Sequence, residues 1–69
     1  MKISARNQLV GRISKIVKGA VNSEVVIKLT GGEEIIAVIT NSSVENLRLE
    51  AGKEAYAIIK ASHVMVGIE

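Results

Sequence analysis

The chain has 69 residues, 48% of them hydrophobic, with nine Lys or Arg against seven acidic residues, one histidine and no cysteine. This is enough for one small domain, residues 1–69, and it excludes disulfides and thiolate metal sites, while a lone histidine cannot build a metal cage. A net charge of +2 and a single aromatic, Tyr56, argue against a surface on which single-stranded nucleic acid stacks.

The opening Met1-Lys2-Ile3-Ser4-Ala5-Arg6 lacks the apolar core of a signal peptide. No apolar run approaches the roughly 20 residues needed to span a bilayer. A soluble, cytoplasmic protein without a membrane partner is expected. Val and Ile dominate the apolar set, and such β-branched residues suit a pleated, half-buried surface. A first strand is predicted from Leu9 to Val17, with a bulge at Gly11. The three-residue recurrence of Val10, Ile13 and Ile16 would also fit a helix. After the turn Lys18-Gly19-Ala20, a second strand runs from Val21 to Leu29. It closes on Thr30-Gly31-Gly32-Glu33, a hairpin signal. The third strand, Glu34 to Thr40, is apolar on both faces through Ile35, Ile36, Val38 and Ile39, as expected of a barrel wall or a subunit interface.

Asn41 to Leu47 then holds Ser42-x-x-Glu45, a capping-box pattern that predicts one or two helical turns. Leu49-Glu50-Ala51-Gly52 is a connecting loop. A fourth strand is predicted from Glu54 to Lys60 and a fifth from Val64 to Ile68, separated by Ser62-His63. This order is that of an all-β, five-stranded barrel of the OB type with one short helix. A domain this small buries only about 60% of its unfolded surface. With no disulfide or metal to help, self-association is the remaining route to stability.

Catalysis finds no support. His63 has no nucleophile in a recognisable motif beside it, there is no Asp, and the Glu residues fall at turns and strand ends. No phosphate-cradling glycine loop is present. Anion binding is better supported. Ser4-Ala5-Arg6-Asn7 offers a hydroxyl, a guanidinium and an amide. Lys60-Ala61-Ser62 offers an ammonium and a hydroxyl. The turn Gly19-Ala20-Val21-Asn22 can converge its backbone N–H groups into a nest. A tetrahedral oxyanion that carries only acceptor oxygens wants donors of these kinds and no carboxylate nearby, and none of the three segments contains an acid. Each also has an ordinary reading. Ser4–Asn7 reads as solvated surface, Lys60–Ser62 as a strand terminus, and Gly19 as a hairpin position needing positive φ. Spacing alone does not bring the three together.

The chain resembles the molbindin, or Mop, family. The resemblance is carried by Ile3-Ser4-Ala5-Arg6-Asn7-Gln8-Leu9, by Val17-Lys18-Gly19-Ala20-Val21-Asn22-Ser23-Glu24-Val25, by Ile39-Thr40-Asn41-Ser42-Ser43-Val44-Glu45, and by Ile59-Lys60-Ala61-Ser62-His63-Val64-Met65. It spans essentially the whole chain without insertion. The resemblance implies an OB-like barrel with strand exchange between subunits and a homohexamer built as a trimer of dimers. It also implies binding of molybdate or tungstate at subunit interfaces for molybdenum storage or homeostasis, without a cofactor or an enzymatic activity. Carried over by position, Ser4, Arg6 and the Ala5 N–H contact the anion, with Lys60, Ala61 and Ser62 completing that site from a neighbouring chain. Gly19, Ala20, Val21 and Asn22 line further anion sites near the symmetry axes. An OB-type nucleic-acid module and an assembly module with vestigial anion sites are the competing readings.

Overall fold

In the computed structural model, which describes residues 1–69, the three-residue spacing of Ile13 and Ile16 belongs to a bulged strand. Strand β1 (Asn7–Lys18) pairs antiparallel with β2 (Asn22–Leu29). Ile13 faces Ile27 and Ile16 faces Val25, and the register slips between Ile13 and Lys15. Ser14 is the extra residue. A bulge switches the parity of the residues after it, so Ile13 and Ile16 both turn inward despite odd spacing. The bulge was expected at Gly11. That glycine instead marks a close approach of β1 and β2, because a Cβ there would lie 2.5 Å from the Lys28 carbonyl oxygen.

The β2–β3 hairpin turns through Gly32 at φ 95°, the left-handed conformation that glycine adopts without penalty. Strand β3 (Glu34–Thr40) pairs with β2 in an unbroken register from Asn22↔Thr40 to Lys28↔Glu34. Helix α1 (Asn41–Asn46) follows at once. Its N-cap is Thr40, whose hydroxyl accepts from the Ser43 N–H at 3.1 Å. The Ser42–Glu45 box expected from the sequence is therefore displaced by a cap two residues earlier. The helix ends with the Arg48 N–H on the Glu45 carbonyl and the Leu49 N–H on the Val44 carbonyl, both at 3.0 Å. This is a Schellman pattern with Arg48 at φ 52° in the place usually held by glycine. Strand β4 (Glu54–Ile59) then returns along the first half of β1, from Arg12↔Glu54 to Asn7↔Ile59.

The sheet order is β3-β2-β1-β4. Strand β1 thus serves β4 with its first half and β2 with its second, and its bend at the bulge curls the sheet. Ile13, Val25, Ile27 and Ala57 form the core on the concave side, with Ile16, Leu29, Ile35, Ala37, Ile39, Val44 and Leu49 among those packed around it. The expected fifth strand is not formed. After a 3-10 turn at Ala61–His63 the chain continues through Val64–Ile68 without pairing, with Met65 93%, Val66 92% and Ile68 96% exposed. A strand exists only against a partner edge, and this segment pairs with neither free edge of its own sheet, β3 or β4.

The concave side therefore stays open. A groove of ≈ 690 Å³ lies between β3 and β4, lined by Ile35, Ala37, Ile39, Ala55, Ala57 and Ile59 among others. On the outer face of β3, Ile36 is 59% and Val38 68% exposed, so only one face of that strand is covered. The accessible surface is 5578 Å², whereas a compact monomer of 7.3 kDa exposes about 4200 Å². No helix is long and apolar enough to cross a membrane.

Candidate anion-binding site

The antiparallel register of β1 and β4 decides where the terminal donor groups go. Pairing ends at Asn7↔Ile59, so the Ser4–Arg6 and Lys60–Ser62 segments leave the same end of the sheet. Within one chain, two segments more than fifty residues apart in sequence thus flank one sheet end. The resemblance implies that the two segments meet across a subunit boundary; the register of a single chain sends both out from the same end of its sheet. Ser4, Arg6, Lys60 and Ser62 are exposed. None of their side chains takes part in a hydrogen bond or ion pair; the single salt bridge joins Lys53 to Glu50. The acid nearest in sequence on β4, Glu54, lies at the opposite end of that strand, facing Arg12. The sheet end therefore gathers a guanidinium, an ammonium and two hydroxyls whose donors are uncommitted, a set suited to an ion with only acceptor oxygens.

Two local contacts shape this end. The Gln8 amide donates to the Ala5 carbonyl at 2.6 Å, which folds the segment back before β1 begins. On the other side, Lys60 caps the 3-10 turn and its carbonyl accepts from the His63 N–H at 2.9 Å. His63 closes that turn and is exposed.

The Gly19–Asn22 turn lies at the far end of β1. The strand runs 12 residues, roughly 36 Å when extended. The turn and the terminal donors therefore belong to separate places on one chain. Gly19 does not have the positive φ that a hairpin reading suggests; among glycines only Gly32 and Gly52 do. Its reason is proximity, since a Cβ would meet the Asn22 carbonyl oxygen at 2.7 Å. The Gly19 N–H donates to that same oxygen at 2.8 Å. The Gly19 carbonyl accepts from Asn41 Nδ2 at 3.0 Å and the Val21 carbonyl accepts from the Asn41 N–H at 2.8 Å. The N–H groups of Ala20 and Val21 donate to nothing in the chain, and both residues are exposed. The turn presents consecutive free donors and engages the Gly19, Val21 and Asn22 carbonyls within the chain, the polarity of an anion nest.

Sequence reading identified the donors but missed Gln8, Ser23 and Asn41, which hold them. Ser23 stands between the polar Asn22 and Glu24 on β2 and carries no signal beyond its polarity, and Asn41 reads in the sequence only as part of a helix start. No cluster of His, Cys, Asp or Glu capable of holding a metal ion is present.

The TOBE domain family model matches residues 3–66. Across the full length of both chains, this chain is 54% identical to a Haemophilus influenzae protein named a probable molybdenum-pterin-binding protein. Its fold superposes on a molybdate-binding protein from Sporomusa ovata with a TM-score of 0.92 and 40% identity, covering 99% of this chain and 100% of that one. It also superposes on the cytoplasmic molybdate-binding protein ModG, solved with molybdate bound, with a TM-score of 0.95 and 45% identity; this chain is covered entirely and spans 49% of ModG.

Proposed function

The chain belongs to the TOBE-domain family, among the small molybdenum-pterin-binding (Mop) proteins, and from that premise we propose that it binds molybdate, and with it tungstate, at contacts between its own subunits. The observation that supports the reading is the β1–β4 register, which ends at Asn7↔Ile59 and sends both donor-bearing segments, Ser4–Arg6 and Lys60–Ser62, out from one end of the sheet. In this reading Ser4, the Ala5 N–H and Arg6 of one chain, with Lys60, Ala61 and Ser62 of a neighbouring chain, surround one class of anion where two such sheet ends meet. A second class sits on the Gly19–Asn22 turn, served by the Ala20 and Val21 N–H groups. Both anions are dianions of nearly one size, so donors of this kind serve either.

The subunit contact is supported by surface that one chain leaves uncovered. The excess of 5578 Å² over the roughly 4200 Å² of a compact monomer is of the order of a stable interface. In our reading the Val64–Ile68 tail of a second copy enters the apolar groove between β3 and β4, becomes the missing fifth strand and closes an OB-like barrel. Dimers made by this exchange join in threes to give a hexamer, with anion sites at the seams. The role is intracellular storage and buffering of molybdenum, in the cytoplasm, with no catalytic step.

Because anions bound at seams favour the assembled form, saturating molybdate should raise the melting temperature. One site filled to 100 times its Kd adds about 2.7 kcal/mol. Arg6→Ala should abolish most of this shift while leaving the oligomer intact. An unchanged melt of the wild-type protein at saturating molybdate would overturn the proposal.

A further inference from the structure

We infer that Asn41, held by Ser23, is the positioning residue that keeps the Gly19–Asn22 turn in its anion-accepting form. The inference rests on the reading above that this turn takes an anion. A backbone turn attracts an anion only while its carbonyls point away and its N–H groups point out. Here both withdrawn carbonyls end on one residue: Gly19 O on Asn41 Nδ2 at 3.0 Å and Val21 O on the Asn41 N–H at 2.8 Å. The free N–H groups of Ala20 and Val21 are what remains on the outer side.

The Gly19 carbonyl can only accept, so it sets the amide of Asn41 with Nδ2 on its side, and Ser23 holds the other end. Ser23 is 2% exposed, and a buried hydroxyl without a partner is costly. Its Oγ donates to Asn41 Oδ1 at 2.5 Å. The opposite orientation would set Oδ1 against the Gly19 carbonyl oxygen, so Oδ1 faces Ser23 and accepts its proton, and that bond anchors the amide in place. Asn41 is thereby engaged at both ends of its amide and does not itself reach the anion. Its place is fixed in turn because helix α1 starts directly after β3, with Thr40 as the cap. Ser23 and Asn41 thus transmit the register of the β2–β3 pair to the turn.

Amide NMR of the whole protein titrated with sodium molybdate tests this, with wild type, Ser23→Ala and Asn41→Leu compared. Leucine has nearly the shape of asparagine but neither donor nor acceptor, and Ser23→Ala disturbs packing less, so the pair guards against loss of folding in one variant. The Ala20 and Val21 resonances report the turn; those of Ala5 and Ala61 report the sheet end in the same spectra. In the variants the midpoint at Ala20 and Val21 should rise on the order of tenfold, as expected when a hydrogen bond that orders a site is lost, with the Ala5 and Ala61 midpoint unchanged. Adding Ser23→Ala to Asn41→Leu should weaken the turn no further, because Ser23 acts through Asn41. Equal midpoints in wild type and variants would overturn the inference while leaving the turn as an anion site. A parallel loss at both places would show a general destabilisation and would overturn it too. Ala20 and Val21 resonances that stay still in the wild type would instead remove the turn from the proposed function, and this inference with it.

Discussion

Gly19→Ala is the substitution for which two physical effects oppose each other most clearly. Replacing glycine with alanine where φ is ordinary restricts the unfolded chain and stabilises by about 0.4–1 kcal/mol, and Gly19 lies outside the positive-φ region. Against this, the new Cβ would lie 2.7 Å from the Asn22 carbonyl oxygen. Ordinary contact begins near 3.4 Å, so the turn must open by about 0.7 Å, the difference between those distances. That opening stretches the 2.8 Å Gly19–Asn22 hydrogen bond to about 3.5 Å, outside the useful range. The Asn41–Gly19 bond at 3.0 Å moves with it. Losing one or both costs about 1–3 kcal/mol, leaving a net destabilisation of about 1–2 kcal/mol. For a domain of this size that lowers the melting temperature by roughly 4–16 °C, readable by circular dichroism. A Gly19→Ala protein as stable as wild type, or more so, would refute the close-approach argument.

Other perturbations follow from the same geometry. Ile13, 1% exposed at the centre of the core, should cost about 2–5 kcal/mol when cut to alanine. Against a total of about 3–10 kcal/mol for a chain of this length, guanidinium unfolding of Ile13→Ala should begin at or near zero denaturant. Arg48→Gly should raise stability by up to about 1 kcal/mol by relieving the left-handed backbone at the helix end, seen as a higher melting temperature. Thr40→Ala should lower it by about 1 kcal/mol through loss of the cap, whereas Ser42→Ala should change it little. Deleting residues 64–69 should reduce the assembly to smaller species in sedimentation velocity.

Much of this fold could be read from residues, and the gaps have identifiable causes. Glu34–Thr40 was bounded as it stands because a hairpin signal and a helix start enclose it. The β1 pattern was ambiguous because a bulge converts two-residue alternation into three-residue spacing, and sequence alone places neither the bulge nor its consequence. Thr40 was overlooked as a cap because the Ser42–Glu45 pair offered a fuller motif; the helix begins where β3 pairing ends, and that boundary is set by β2. Val64–Ile68 has the composition of a strand, but pairing is a property of two edges, and in one chain the segment lies against neither free edge, β3 or β4. The donors of the candidate site were legible by residue type, including the pairing of Ser4–Arg6 with Lys60–Ser62 that the family resemblance implied. That both segments leave the same end of the sheet came only with the β1–β4 register. Ser23 and Asn41 were not legible, because a buried hydroxyl and an amide gain meaning only from what they face.

Native mass spectrometry of the intact protein, titrated in parallel with molybdate, tungstate and sulfate, tests the central claim most directly. We predict a hexamer that takes up molybdate and tungstate in defined numbers, discriminates against sulfate, and resists dissociation better when loaded. A folded monomer that retains none of the three ions would contradict the account.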